Sequence, residues 1–415
     1  MKKIQKNDAL LIILFVLQMG FHTPTGLDEK LSLLGSAFIA LILCAGDLKK
    51  VEIRFNKEAK LYLVWYTLFF MVCLSTLFFG IRCNETMLKR MLFETFIPTI
   101  LCLVSICAYL KYDNTNGVRV LENIVYAEVL VAIRAIIYTP IPQFISEMNT
   151  MLYGSKLGIN YNNFTTSLTL TFCIGLYLMF YAKSKIRGAL VFIFFNIMFS
   201  GSRKAIIVSI LCFIMMYYLT SDRKHFLEKI KKLAIIVAVL AAVVLLIFTN
   251  DFMYGLIGNK LLAVINSLGA NSVQQSLDAS VRGRAMLRET AWETFLQHPI
   301  YGVGYYSFMY FNSLGYYAHN NYLEILADLG VIGFAIYYCY YCHYILMAFK
   351  IRRKNKWIAE SIRPDILVIV FIVSVLILEY GQVTYFRMFM LTPFMTVSVV
   401  SYHMYLEEIR QKERI

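Results

Sequence analysis

The chain is expected to be an all-α, polytopic membrane protein, and three observations predict it. Hydrophobic residues fill 59% and charged residues only 16% of its 415 positions, whereas soluble domains run at roughly half and a quarter. The mean hydropathy is +0.62. The apolar residues also fall into runs suited to a helix crossing the hydrocarbon layer, which takes about 20 residues.

Twelve such runs are readable in order. The first, 9–22, follows the basic start Met1 to Lys6 and has no small-residue cleavage site before His22, so it reads as a retained span. Run 31–46 is short and stops before Lys49 and Lys50, while 61–81 and 93–110 are long and uninterrupted. Run 118–139 carries Glu122, Glu128 and Arg134; ionisable groups inside a membrane face a cavity or a partner. Next come 164–182, then the short pair 188–200 and 205–220 around the turn Ser200 to Lys204, then 233–249. Runs 320–349, 365–381 and 388–404 complete the count of about 12 transmembrane helices. With no internal repeat, residues 1–415 read as one integral membrane domain. A long external loop, 250–319, is inserted between helices 9 and 10, and a loop of that length is usually functional or a small subdomain.

The net charge is +14. Most of the 40 basic residues crowd alternate loops, and the positive-inside rule then places both termini in the cytoplasm. That orientation puts the Ser200 to Lys204 turn and 250–319 together on the external face. It also accounts for the basic surplus, so membrane lipids are expected partners and nucleic acid is not. The nine cysteines lie mostly inside apolar runs (Cys44, Cys73, Cys102) and read as small packing residues. Cys339 and Cys342 form a CxxC without a second pair, so no metal or redox site is expected from them.

The residues that could carry chemistry gather between Val281 and Gly333. Arg284, Leu287, Arg288, Ala291, Trp292, Phe295 and Leu296 recur at helical spacing, which predicts an amphipathic helix in the membrane interface with the arginines on its apolar face. The bland reading is that these arginines snorkel to lipid phosphates. Pro299 should end the helix, because proline disfavours helical geometry in the residue before it, His298. Gly302-Val303-Gly304 reads as a turn that allows close backbone approach. His319 and Asn320 then precede a helix in which Asn321 and Glu324 have the spacing of a capping box. A histidine there could equally cap or bridge loops. Arg203 adds a further cation, whose bland role is boundary anchor. Arg203, Arg284 and His319, with Arg282 as a fallback, would make a pocket suited to a diphosphate, since guanidinium forks bind oxygens bidentately and stay charged.

Three stretches carry a resemblance: SGSRKAIIV, GRAMLRETAWETFLQHPIYGVG and AHNNYLEILADLGVIG. In this order and spacing the chain resembles the O-antigen ligase and O-antigen polymerase family, bacterial enzymes that move glycans off undecaprenyl diphosphate. The resemblance implies a C-type glycosyltransferase-like architecture. It also implies that Arg203 and Arg284 hold the diphosphate and that His319 serves the acceptor. Arg282, Arg288, Asn320 and Glu324 complete the expected substrate-binding set. The family's tryptophan four residues after the motif arginine is Arg288 here. Tyr161 to Asn163 is similar to the family's asparagine-containing loop, with no role assigned.

The expected partners are thus an undecaprenyl-diphosphate-linked glycan and an acceptor glycan. The expected activity is extension of a surface polysaccharide, as a capsule or O-antigen polymerase, from the external face of the cytoplasmic membrane. With no Asp-x-Asp in the sequence, no metal or other cofactor is expected, and direct displacement would invert the anomeric carbon. The alternative within the family is a ligase acting on lipid A core. A flippase or other transporter would instead show inverted repeats or broken helices, with charges near the midplane. A non-catalytic scaffold would leave Arg203, Arg284 and His319 dispensable.

Overall fold

Each predicted apolar run that falls inside the described residues is a helix. The computed structural model describes residues 6–20, 27–45, 55–82, 84–112, 117–138, 161–199, 202–220, 249, 279–355 and 362–412, and among these all regular structure is helical. The helices are α1 (Lys6–Met19), α2 (Leu27–Ala45), α3 (Lys57–Phe79), α4 (Glu85–Arg90), α5 (Ile97–Tyr112) and α6 (Val118–Tyr138). They continue as α7 (Tyr161–Phe180), α8 (Arg187–Phe199), α9 (Arg203–Thr220), α10 (Ala279–Gln297), α11 (Asn321–Asn355), α12 (Pro364–Glu379) and α13 (Met388–Lys412). A π-helical turn, Met91–Phe96, joins α4 to α5. The expected ninth run, 233–249, lies outside the described residues except for Thr249, as does 250–278 of the long loop.

By length and composition, four helical stretches can cross a membrane: Lys57–Phe79, Glu85–Lys111, Asn163–Phe180 and Asn321–Arg353. Three shorter apolar helices, Lys30–Ala45, Arg187–Met198 and Lys204–Leu219, fall below that length. The described residues are therefore all-helical, with four helices long and apolar enough to cross a membrane.

The helix at the centre is α7, which packs against α6, α8, α9, α12 and α13. Its buried Thr165, Thr166, Ser167, Thr169 and Thr171 are small enough to let neighbouring backbones approach, and their hydroxyls need partners. Thr169 donates to the Thr165 carbonyl at 2.7 Å, and Ser167 to Glu128 Oε2 at 2.8 Å.

Two features build the end of the molecule that carries the candidate residues. The first is a break in α11 at Gly330, whose φ of 62° is cheap only for glycine. There the chain pairs with the Gly-Val-Gly turn: Val303 N–H donates to Ala327 O at 2.9 Å, Gly304 to Asp328 O at 2.8 Å and Val331 to Pro299 O at 2.8 Å. A Cβ on Gly302 would meet the Asp328 backbone at 2.4 Å, and one on Gly330 the Ile300 carbonyl oxygen at 2.3 Å. The close approach expected of these glycines is thus to another segment of the chain.

The second feature is a carboxylate knot. Glu379, at the end of α12, accepts from Tyr337, Tyr338 and Tyr341 of α11 and from Thr384 Oγ1 at 2.7–3.2 Å. Asn321 Oδ1 accepts from the backbone of Thr384 and Tyr385 at 2.8 and 3.1 Å. Together these bonds fasten the turn 380–387, between α12 and α13, to the start of α11.

Candidate functional site

The segment from α10 to α11 is organised by buried acids that satisfy backbone donors. Asp328 Oδ1 accepts from the N–H groups of Ser307 and Phe308 at 3.0 and 2.8 Å, and its Oδ2 from the Tyr385 hydroxyl at 3.0 Å. Glu324 accepts from the Ala318 N–H. The expected capping box is displaced by one residue. Asn320, not Asn321, receives the N–H of Leu323, at 3.1 Å, which leaves Asn321 free to hold the 380–387 turn. Asn320 and Glu324, expected at the substrate, are both buried and committed to this helix start. Their bonds fix the backbone on both sides of His319, which takes a left-handed φ of 54°.

His319 is half-buried, its ring 4.2 Å from that of Tyr317. Burial, then the nearby charges of Arg284 and Lys204, lower its pKa from the ordinary 6.5 to about 4. The near-neutral titration expected of a lone histidine does not hold in this setting, because an imidazolium would be desolvated beside two cations. Among the described residues no carboxylate acts on His319 or on Lys204, whose neighbouring charge is Arg284.

α10 docks by Leu287, Ala291 and Thr294, all buried, at the i, i+4, i+7 spacing of one face. Leu287 and Ala291 form a small core with Phe308, Ala318 and Ala327. This corrects the expected apolar face. Arg284 is exposed and Arg288 half-buried, on one flank of that stripe, with the Arg288 guanidinium carbon 5.9 Å from the Tyr380 ring centroid. Trp292 and Leu296 are exposed, at 47% and 59%. A hydropathy pattern does not separate exposed apolar residues from those packed against the chain, which is why it joined these groups. Arg282 is also exposed.

Arg203 begins α9, but its side chain lies outside the described part of the structure, as do Ser200 and Gly201. The next residue is the cation that sequence reasoning quoted without assigning. Lys204 Nζ donates to Gln382 Oε1 at 2.9 Å and lies 3.5 Å from the Leu378 carbonyl oxygen. Gln382 Oε1 also accepts from Thr166 at 2.6 Å, and its Nε2 donates to Asn163 Oδ1 at 2.5 Å. Lys204 therefore sits in a neutral amide and hydroxyl cradle drawn from α7, α9 and the 380–387 turn. One signal was available: two cations at a helix start oppose the helix dipole.

The charges of Arg284 and Lys204 both act on His319, and burial, then Arg284, lower the pKa of Lys204 to about 7, so the three share one electrostatic neighbourhood. Its net charge is positive, and it can attract and hold an anion. Residues 188–338 match the family model described as O-Antigen ligase, a segment running from α8 into α11 and containing Lys204, Arg284 and His319. Over this segment the chain is similar to the O-antigen ligase family. No curated protein matches the chain.

Proposed function

We propose that this O-antigen ligase family chain transfers a glycan from undecaprenyl diphosphate to an acceptor glycan on the external face of the cytoplasmic membrane, polymerising repeat units of a surface polysaccharide. The observation that carries the reading is the cluster of Arg284, Lys204 and His319, two cations and a neutral base with no acidic counter-charge among the described residues. Uncompensated charge in a partly desolvated place is costly, and a diphosphate would relieve it. The start of α9 at Arg203 adds the positive end of a helix dipole beside Lys204, which supports the same reading.

In this reading Arg203, Arg284 and Lys204 hold the diphosphate, with Arg282 and Arg288 at its rim. The acceptor hydroxyl oxygen attacks the anomeric carbon. Its bond forms as the bond from that carbon to the diphosphate oxygen breaks, so the configuration inverts. The electron pair leaves on the diphosphate, where the cations stabilise the developing charge. The hydroxyl proton passes to His319, which is neutral and able to accept it. A lowered pKa makes a free imidazole a weak base, but the bound diphosphate offsets the charges of Arg284 and Lys204 and raises it again. The base is therefore strengthened when the donor is present. Asn320 and Glu324 act through the backbone that positions His319. The guanidinium and ammonium groups do the work that a metal ion does elsewhere, so the reaction is metal-independent and a chelator should leave the rate unchanged.

The test is reconstitution of the full chain in phospholipid vesicles with a lipid-diphosphate-linked repeat unit. Lengthening of the lipid-linked glycan is the expected product, and transfer to added lipid A core would assign a ligase instead. Arg284→Gln should lower the transfer rate about 100-fold or more, the usual scale for losing one transition-state donor. Wild-type transfer by both Arg284→Gln and His319→Ala would overturn the reading.

A further inference from the structure

A further cation lies beside Tyr306 and Phe386, on a segment outside the family match. Arg387 closes the 380–387 turn, its N–H donating to the Thr384 carbonyl at 2.9 Å, and its own carbonyl accepts from Met390 and Leu391 in the first turn of α13. Its guanidinium carbon is 4.5 Å from the Phe386 ring centroid. Among the described residues its Nε is buried without a hydrogen-bond partner. Leaving such a donor unmade in a buried place costs about 1–3 kcal/mol, more when the group is charged.

The surroundings are aromatic. Tyr306, half-buried, packs edge-on against Phe386 with ring centroids 5.1 Å apart. Burial raises the pKa of the Tyr306 hydroxyl, the Arg387 charge pulls it back down, and Glu324 and then Tyr317 push it up. Tyr317 in turn is the ring beside His319. Tyr306 holds a left-handed φ of 51°, a strained conformation for a bulky residue, and Asp328 fixes the next two N–H groups. The turn passes the start of α11 at Thr384 and Tyr385. Its Gln382 end holds Lys204 and its opposite end presents Arg387.

We propose that Arg387, Tyr306 and Tyr317 form the acceptor subsite, in which a sugar ring of the incoming glycan packs on the tyrosines and accepts hydrogen bonds from Arg387, setting its hydroxyl beside His319. The inference rests on the glycan-transfer reading above. In-line displacement requires the acceptor to approach opposite the leaving diphosphate. The two ends of the turn supply that division, with Lys204 on the leaving-group side and Arg387 on the entering side. Tyrosine rings suit the apolar face of a sugar, and a guanidinium fork suits adjacent hydroxyls.

The test uses the full chain in phospholipid vesicles, a synthetic lipid-diphosphate-linked repeat unit as donor and an unlabelled two-repeat lipid-linked glycan as acceptor, each varied independently. Arg387→Gln should raise the acceptor KM about tenfold or more, the loss of a hydrogen bond from a charged donor, and leave the donor KM unchanged. Tyr306→Ala should do the same and Tyr306→Phe should not, which decides the matter even if Arg387→Gln fails to fold. A rise in donor KM would make Arg387 a diphosphate ligand and overturn the proposal, as would acceptor KM values unchanged in both Arg387→Gln and Tyr306→Ala. If Arg284→Gln abolishes transfer while these variants behave as wild type, only the acceptor subsite fails. If Arg284→Gln and His319→Ala also transfer normally, the whole reading fails.

Discussion

Two groups of polar side chains lie near each other at one end of this molecule, and they are treated in opposite ways. Glu379 and Asp328 are acids whose oxygens are met by donors: three tyrosine hydroxyls and a threonine for Glu379, two backbone N–H groups and a tyrosine for Asp328. Arg284, Lys204 and His319 are basic groups whose charges act on one another, Arg284 exposed and Lys204 held by neutral acceptors, with no carboxylate acting on Lys204 or His319 among the described residues. A satisfied polar network rigidifies. An uncompensated one stays available to a ligand. The contrast separates a satisfied scaffold from the candidate site without reference to any relative.

The contrast can be broken from either side. The largest effect expected is on the scaffold: Asp328→Ala leaves the N–H groups of Ser307 and Phe308 buried without their acceptor, at about 1–3 kcal/mol each. Thermal unfolding in detergent should then show a clearly lowered midpoint, and an unchanged one would remove Asp328 from the scaffold. Glu379→Gln should cost less, because the amide oxygen still accepts from some of the hydroxyls while its NH₂ faces other donors; a loss of about 1–2 kcal/mol is expected by the same measurement. Arg284→Gln should not lower the midpoint, since Arg284 is exposed and removing it relieves repulsion.

The smallest effect sharpens the comparison most. With the His319 pKa held to about 4, the base form persists down to that pH, so kcat/KM should fall only as pH drops through about 4, not through the ordinary 6.5. Bound diphosphate raises the pKa, so the acid limb of kcat should lie at higher pH than that of kcat/KM. Arg284→Gln removes one of the depressing charges and should move the kcat/KM limb upward in its residual activity. Coincident limbs in wild type and variant would show that Arg284 does not act on His319.

How much of this was legible in the sequence varies by element. The apolar runs located the helices because burial in lipid or protein demands the same composition over the same length. The Gly-Val-Gly turn and the His319 position were visible as well, since glycines and helix starts leave local signatures. The capping residue was misplaced by one, because Asn320 and Asn321 are chemically identical and only the fold sends one to Leu323 and the other to Thr384. Lys204, Gln382, Asn163 and Arg387 were not read as a site. Their meeting depends on contacts such as Lys204 with Gln382, 178 positions apart, and spacing carries no signal at that range.

The sequence by itself therefore determined that this is a helical membrane protein and that Arg284 and His319 are the residues to examine, because composition, periodicity and local motifs are short-range properties. Only the tertiary structure decided which arginines face the chain and which face away, which acids are satisfied, and which segments bring Lys204 to Gln382 and Arg387 to Tyr306. Those outcomes depend on how helices from distant parts of the chain pack, and pairwise charge acts through space whatever the order of the residues along the backbone.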